Sequence, residues 1–312
     1  MLKKTICIST VLFIALTVFT TFCFSLDLNK DIVPIASVSD LNALHQAVTN
    51  DVNHDLRDKK FVLVKDIKGF KGSIGNSGFP FISEFDGCGH TIELKDSNGV
   101  FYNILGGTVK NLIVKGTVFG TGYIGGIAER IGAGTRIVNC SNYATVTTNY
   151  PVAGGIVGNA VKNGNTVAGT HTEGDILGER DPKIVIENCA NYGVIKASSF
   201  AGAICGKVSQ GKEGYTDKSA FNSTFLLNCY FGGTVNGEVK DNQSYVQLNQ
   251  ALDKNSEYLP WIDKDNDGIP ELNYSLARGY AGSLISSGNI AIIVAIIAAA
   301  AVTFFVIKKK KR

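Results

Sequence analysis

Four segments of this 312-residue chain share one pattern: Val109–Val118, Ile137–Val146, Ile186–Ile195 and Leu226–Val235. Each carries an Asn at its third position and an aliphatic residue seven places after it, pairing Asn111 with Val118, Asn139 with Val146, Asn188 with Ile195 and Asn228 with Val235. In the last three a Cys follows the Asn directly, at Cys140, Cys189 and Cys229. A small pair leading into Ile then follows the first three, as Gly125-Gly126, Gly154-Gly155 and Gly202-Ala203. Fixed internal spacing of this kind marks stacked units, none of which can bury its apolar face alone.

Each unit reads as strand, tight turn, strand, turn and strand, because β-branched and aliphatic residues fill the runs and Gly, Asn and Ser separate them. No segment between units has the 3.6 period of a crossover helix, which disfavours a doubly wound α/β sheet. The expectation is an all-β, right-handed single-stranded parallel β-helix, a solenoid over residues 61–272. Its tiers stack at about 4.8 Å, so that equivalent residues lie above one another. Asn111, Asn139, Asn188 and Asn228 then form a structural ladder of side-chain amides. Insertions at 163–182 and 209–222 become loops on one face. An open end exposes strand edges and core. A short capping helix started by Ser39, with Leu41, Leu44 and Val48 on one face, covers it within an N-terminal cap, 26–60. Phe61–Val64 is the expected first strand, and Leu248–Leu272, with Trp261, is expected to close the far end.

The termini speak to location. Residues 1–25 combine Lys3 and Lys4, an apolar run and a small-residue cleavage site near Ser25, the plan of a secretory signal peptide. A stalk, 273–289, leads to an uncharged run, 290–307, long enough for a transmembrane helix, with a basic tail at 308–312. Cations stay on the cytoplasmic side, so the expectation is a single-pass cell-membrane protein with an extracellular body. The formal net charge of +3 divides accordingly. Without Lys3, Lys4 and the five terminal cations, 23 basic residues face 27 acidic ones, a net of −4 that argues against nucleic acid as a partner.

The repeats resemble the bacterial GLUG-type repeat. They carry its Gly-Gly-aliphatic start at Gly125-Gly126-Ile127, its Gly turn at Gly134, its Asn-Cys at Asn139-Cys140 and its closing valine at Val146. Gly154–Gly158 with Ile186–Cys189, and Gly202–Gly206 with Leu227–Cys229, resemble further copies, and Phe85–Ile92 with Gly107–Leu112 is similar to the leading tiers of such proteins. The resemblance covers roughly residues 36–272 and implies a right-handed parallel β-helix on a secreted or surface protein. It implies no single activity, because the repeat accompanies adhesin-like and peptidase proteins alike. The tail resembles Gram-positive wall anchors but lacks the sortase pentapeptide. In a eukaryotic source, Asn139, Asn222, Asn242 and Asn273 would be glycosylation acceptors.

Candidate chemistry is sparse. Asp263, Asp265 and Asp267, followed by Gly268, match the start of a calcium loop, but Tyr274 stands where the twelfth-position Glu belongs; the alternative is a plain hairpin turn. Cys88, Cys140, Cys189, Cys205 and Cys229 remain after the leader; tier stacking permits a disulfide, and a buried stack of free thiols is preferred. No HExxH, GxSxG or P-loop occurs. Asp175 and Asp181 in the first insertion could serve a polysaccharide lyase or glycosidase. The expected function is therefore a non-enzymatic surface protein in adhesion or in binding a glycan, host or matrix ligand. A carbohydrate-active enzyme and a structural stalk are the alternatives.

Overall fold

The computed structural model describes residues 26–162, 183–210, 224–236, 257–275 and 277–279. The expected signal peptide, the acidic insertion with Asp175 and Asp181, most of 209–222, the run 290–307 expected to cross a membrane and the basic tail lie outside them. Among the described residues no helix is long and apolar enough to cross a membrane.

The body is mostly β, built of parallel sheets curled around one core. The first sheet has seven strands: Ile32–Ile35, Lys60–Leu63, Glu84–Asp86, Thr108–Lys110, Arg136–Val138, Ile184–Glu187 and Thr224–Leu227. They lie side by side in sequence order, and every neighbouring pair is parallel. A second sheet collects the strands after each Asn, including Ile113–Gly120, Ser141–Asn142, Thr145–Thr148 and Ala190–Asn191. A third stacks Phe101–Ile104, Ala128–Ile131, Val157–Lys162 and Cys205–Gln210. A repeat such as 136–162 thus gives Arg136–Val138 to the first sheet, Ser141–Asn142 and Thr145–Thr148 to the second, Val152–Gly154 to a further three-stranded sheet and Val157–Lys162 to the third.

In-register stacking explains the repeat. Phe61, Phe85, Val109, Ile137, Ile186 and Leu226 form one column of the first sheet, and the first five are fully buried. Phe81 and Phe85 pack their rings against Phe101 at 4.9 and 5.4 Å. The column is aromatic at Phe61 and Phe85 and aliphatic from Val109 onward. The small pair is a steric requirement: a Cβ on Gly154 would stand 1.9 Å from the carbonyl oxygen of Val157, where the chain folds tightly from one strand into the next.

At the N-terminal end the helix runs Val38–Thr49 and buries Leu41, Leu44 and Val48. Its cap is Ser37 rather than Ser39: the Ser37 hydroxyl accepts from the Asp40 amide at 3.1 Å, and the Asp40 carboxylate accepts from the Ala36 amide at 2.8 Å. That reciprocal pair needs an acid three residues after the cap, which Ser39 lacks. The cap region also contains a strand that the sequence reading left out, Ile32–Ile35, parallel to Lys60–Leu63. Pro34 fits there because this strand is the sheet's edge and needs fewer amide donors.

At the other end the segment from Glu257 onward does not lie across the last tier. It runs along the flank, where Trp261–Ile262 and Glu271–Leu272 form an antiparallel hairpin. Leu259, Trp261, Leu272 and Tyr274 pack there with Ile113, Ala190 and Tyr230 as a second apolar cluster. Leu226 and Leu227 of the last tier are 42% and 44% exposed. The packed body also continues past residue 272, since Tyr274 is buried and Arg278 Nε donates to the Gly89 carbonyl at 3.0 Å.

Candidate functional site

The four ladder Asn residues stand in direct contact. Asn228 Nδ2 donates to Asn188 Oδ1 at 2.6 Å, Asn188 to Asn139 at 2.7 Å, and Asn139 to Asn111 at 3.0 Å. Asn111 in turn donates to Asp86 Oδ1 at 3.0 Å. Asp86, which the repeat pattern does not mark, is the terminal acceptor, and Lys60 Nζ lies 3.5 Å from its other oxygen. The backbone supplies a second reason for Asn: all four hold φ between 50° and 55°, the left-handed region that Asn enters more readily than other side chains. Glycosylation at Asn139 is incompatible with this fold, because that side chain is fully buried.

The flanking segment reads the ladder along its length. Leu259 N donates to Asn139 Oδ1 at 3.0 Å, Asn188 Nδ2 donates to the Leu259 carbonyl at 2.8 Å, and Trp261 Nε1 donates to Asn188 Oδ1 at 2.5 Å. The Tyr274 hydroxyl donates to the Asn139 carbonyl at 2.8 Å. Arg136 pairs with Glu257. The ladder is thus both an internal staple and a docking rail for residues 257–278.

Between that strap and the second sheet lies a groove of about 660 Å³, lined by Lys115, Tyr143, Lys264, Glu271, Asn273 and Arg278 among others. Tyr143 is 37% exposed and its ring stacks on Tyr192 at 4.7 Å and 21°, with Lys115 Nζ 5.5 Å from the Tyr143 centroid. The equivalent position one tier further is Gly232, where a Cβ would meet the Tyr192 and Tyr230 rings at 3.1 and 2.9 Å. The Tyr192 hydroxyl donates to the Pro270 carbonyl and its ring lies between those of Tyr143 and Tyr230, so it backs Tyr143 as a platform. Burial raises the Tyr143 phenol to about 12, with Glu271 adding to the shift, so the hydroxyl stays protonated and can donate. Sequence reading missed this groove, because Tyr143 and Tyr192 sit in the repeat as one more aromatic apiece and only the returning strap makes a wall opposite them.

Asp263, Asp265 and Asp267 lie at the hairpin tip with ligand oxygens within 4.8 Å of one another. Two of them already serve the turn: Asp263 accepts from the amides of Asp267 and Gly268 at 3.1 and 3.0 Å, and Asp267 accepts from Ile269 at 2.8 Å. Tyr274, in the position of the missing twelfth ligand, points into the body, and Glu271 lines the groove. The three carboxylates stand close enough to meet one cation, and Asp263 and Asp267 also close the turn, as the hairpin-turn alternative expects.

The five cysteines among the described residues, Cys88, Cys140, Cys189, Cys205 and Cys229, are free thiols. Cys140, Cys189 and Cys229 stack in the core, and burial raises Cys189 well above the ordinary thiol range, which leaves it protonated and unreactive. His90 is held against Asp66 at 3.2 Å beside the strap. Glu129, unremarked in the sequence, is only 3% exposed. Asn98 Nδ2 donates to it at 3.4 Å, and Arg130 Nε lies 3.6 Å away. Burial nevertheless raises its carboxyl to about 7, against the pull of Arg130 and Asn98.

No family model, curated protein or solved structure matches the chain.

Proposed function

We propose that the protein is a right-handed parallel β-helix of the GLUG-repeat kind, carried on the cell surface by the segment 290–307, and that it binds a glycan without turning it over. The sequence-ordered parallel sheets support the β-helix, and the 28-residue step from Asn111 to Asn139 matches one tier. The observation that carries the binding role is the strap groove, in which a rigid, partly exposed Tyr143 platform faces polar side chains that can meet sugar hydroxyls. Glycoside hydrolysis requires two carboxyl groups across the bond. Glu271 is the one acid among the described residues lining this groove, which favours binding over the enzymatic alternative.

The test is a glycan panel with the full-length chain in detergent, followed by calorimetry on the best binder. Tyr143→Ala is expected to weaken binding at least about tenfold, the value of an aromatic contact of roughly 1.4 kcal/mol or more. A panel with no binder, a variant that binds unchanged, or release of shortened products would sink the reading. Deleting residues 287–312 should release the body into the medium, and retention on cells would contradict the anchor.

A further inference from the structure

Glu129 stands on the strand Ala128–Ile131 of the third sheet, and its side chain is shut away from water. The register that sets Ala128 beside Phe101 and Val157, and Arg130 beside Asn103 and Asn159, places Tyr102 on one side of Glu129 and Gly158 on the other. An ionised carboxylate can accept from several donors at once. Here it finds Asn98 Nδ2 at 3.4 Å and Arg130 Nε at 3.6 Å, both longer than an ordinary hydrogen bond. Arg130 Nε itself is buried and makes no hydrogen bond. A buried carboxyl so poorly supplied favours its neutral form, because the charged form gives up water and receives little in return.

The cover over this carboxyl is a turn. A Cβ on Gly122 would stand 3.2 Å from Glu129 Oε1, and one on Gly120 would stand 2.4 Å from Asn98 Oδ1, so the chain from Gly120 to Tyr123 lies directly on the acid and on its donor. Among the described residues, no hydrogen bond engages Thr121, Gly122 or Tyr123. Side-chain packing holds the turn instead: the Arg130 guanidinium sits 4.8 Å from the Tyr123 ring centroid, and Tyr123 meets the exposed Tyr150 edge-on at 6.1 Å. At its start the Gly120 carbonyl accepts from Thr148 Oγ1 at 2.8 Å, which fixes a hinge. A short segment held without hydrogen bonds opens at little cost.

The groups that can bias the acid are few. Arg130 stands beside it on its own strand, Tyr102 faces it from the strand Phe101–Ile104, and Tyr123 lies on the turn beyond Arg130. Asn98 is uncharged, and the strand Val157–Lys162 presents only Gly158 there. Burial raises the Tyr102 phenol, and the charge of Glu129 adds to the shift, so Tyr102 stays neutral while Glu129 titrates.

We propose that Glu129 is the sensor of a pH switch whose moving part is the turn Gly120–Tyr123. With the carboxyl protonated, the turn packs over it. On ionisation the proton passes to solvent, the turn lifts about Gly120, water reaches the carboxylate, and Arg130 leaves the Tyr123 ring to pair with it. The closed form is therefore the acid form. With the carboxyl raised to about 7, its ionised share climbs from about a tenth at pH 6 to about nine-tenths at pH 8. The switch is independent of the glycan reading of the strap groove.

The experiment is hydroxyl-radical footprinting of the full-length chain in detergent at pH 6 and pH 8, with oxidation of Tyr102 and Tyr123 measured by mass spectrometry relative to Tyr143. Their relative oxidation should rise at least about threefold at pH 8 in the parent, as the covered rings meet water. In Glu129→Gln, which cannot ionise, it should stay at the acid level at both pH values. If that variant does not fold, Glu129→Met decides, with the same flat profile expected. A flat profile in the parent, or an equal rise in the Glu129 variant, would overturn the proposal. So would a rise matched at the fully buried Phe81, since that reports loosening of the whole core rather than movement of one turn.

Discussion

At the scale of single residues, each ladder Asn combines a left-handed backbone with an amide that can donate to one tier and accept from the next. Asn188 makes the fullest use of both. It donates to Asn139 and to the Leu259 carbonyl and accepts from Asn228 and from the Trp261 indole. Asn188→Ala should destabilise the protein by about 3 kcal/mol or more, because several buried polar groups lose their partner and Ala resists the left-handed turn. Asn188→Gly relaxes the backbone but not the lost bonds, so its melting temperature should lie between those of Ala and the parent. A thermal melt in which Gly equals the parent would remove the hydrogen bonds from the account; one in which Ala equals the parent would remove the ladder. The spacing of the four Asn residues was readable in the chain. Asp86 as their terminal acceptor was not, since Gly87 stands in the ladder position of that strand and the acceptor comes from the residue before it.

At the scale of elements, the strap is the feature that alters the reading of the molecule. The segment Leu248–Leu272, with Trp261, was expected to close the far end, because an open end exposes strand edges and core. Instead the ladder carbonyls and amides offer a seam of polar partners along the flank, and residues 257–278 take it. Tyr274→Phe removes one donor to the Asn139 carbonyl and Ser141 Oγ while keeping the ring. It should cost about 1–2 kcal/mol, and hydrogen exchange should quicken at the Leu259 amide, which bonds the same Asn139. Exchange at Leu259 unchanged in the variant would show that the strap is not held as one unit.

At the scale of the whole molecule, the parallel tiers share one continuous core, so a single buried titration can be felt as global stability. Glu129 is neutral in the fold up to about pH 7, whereas a solvated Glu ionises near 4.5. Its contribution is therefore full below about pH 4.5 and is lost as pH rises through 7, amounting to about 2–3 kcal/mol at the outside. Denaturant unfolding of the parent should weaken between pH 5 and pH 8 by more than that of Glu129→Gln, which carries no titrating group there. Parallel pH profiles for the two proteins would place the charge elsewhere.

The sequence by itself determined the repeating short strands and the all-β character of the body. Period, turn residues and the Asn–aliphatic spacing are local properties that repeat, and repetition makes them legible without knowing what touches what. The helix face at Leu41, Leu44 and Val48 was legible for the same reason, and its cap slipped by two residues only because the deciding contact was Asp40 reaching back to Ala36. The tertiary structure alone decided which face the final segment covers, which carboxyl is buried, and which side chains line the strap groove. Those depend on pairs such as Asn139 with Leu259 that lie far apart in the chain. The return of the final segment along the flank brings them together, and no local pattern encodes that.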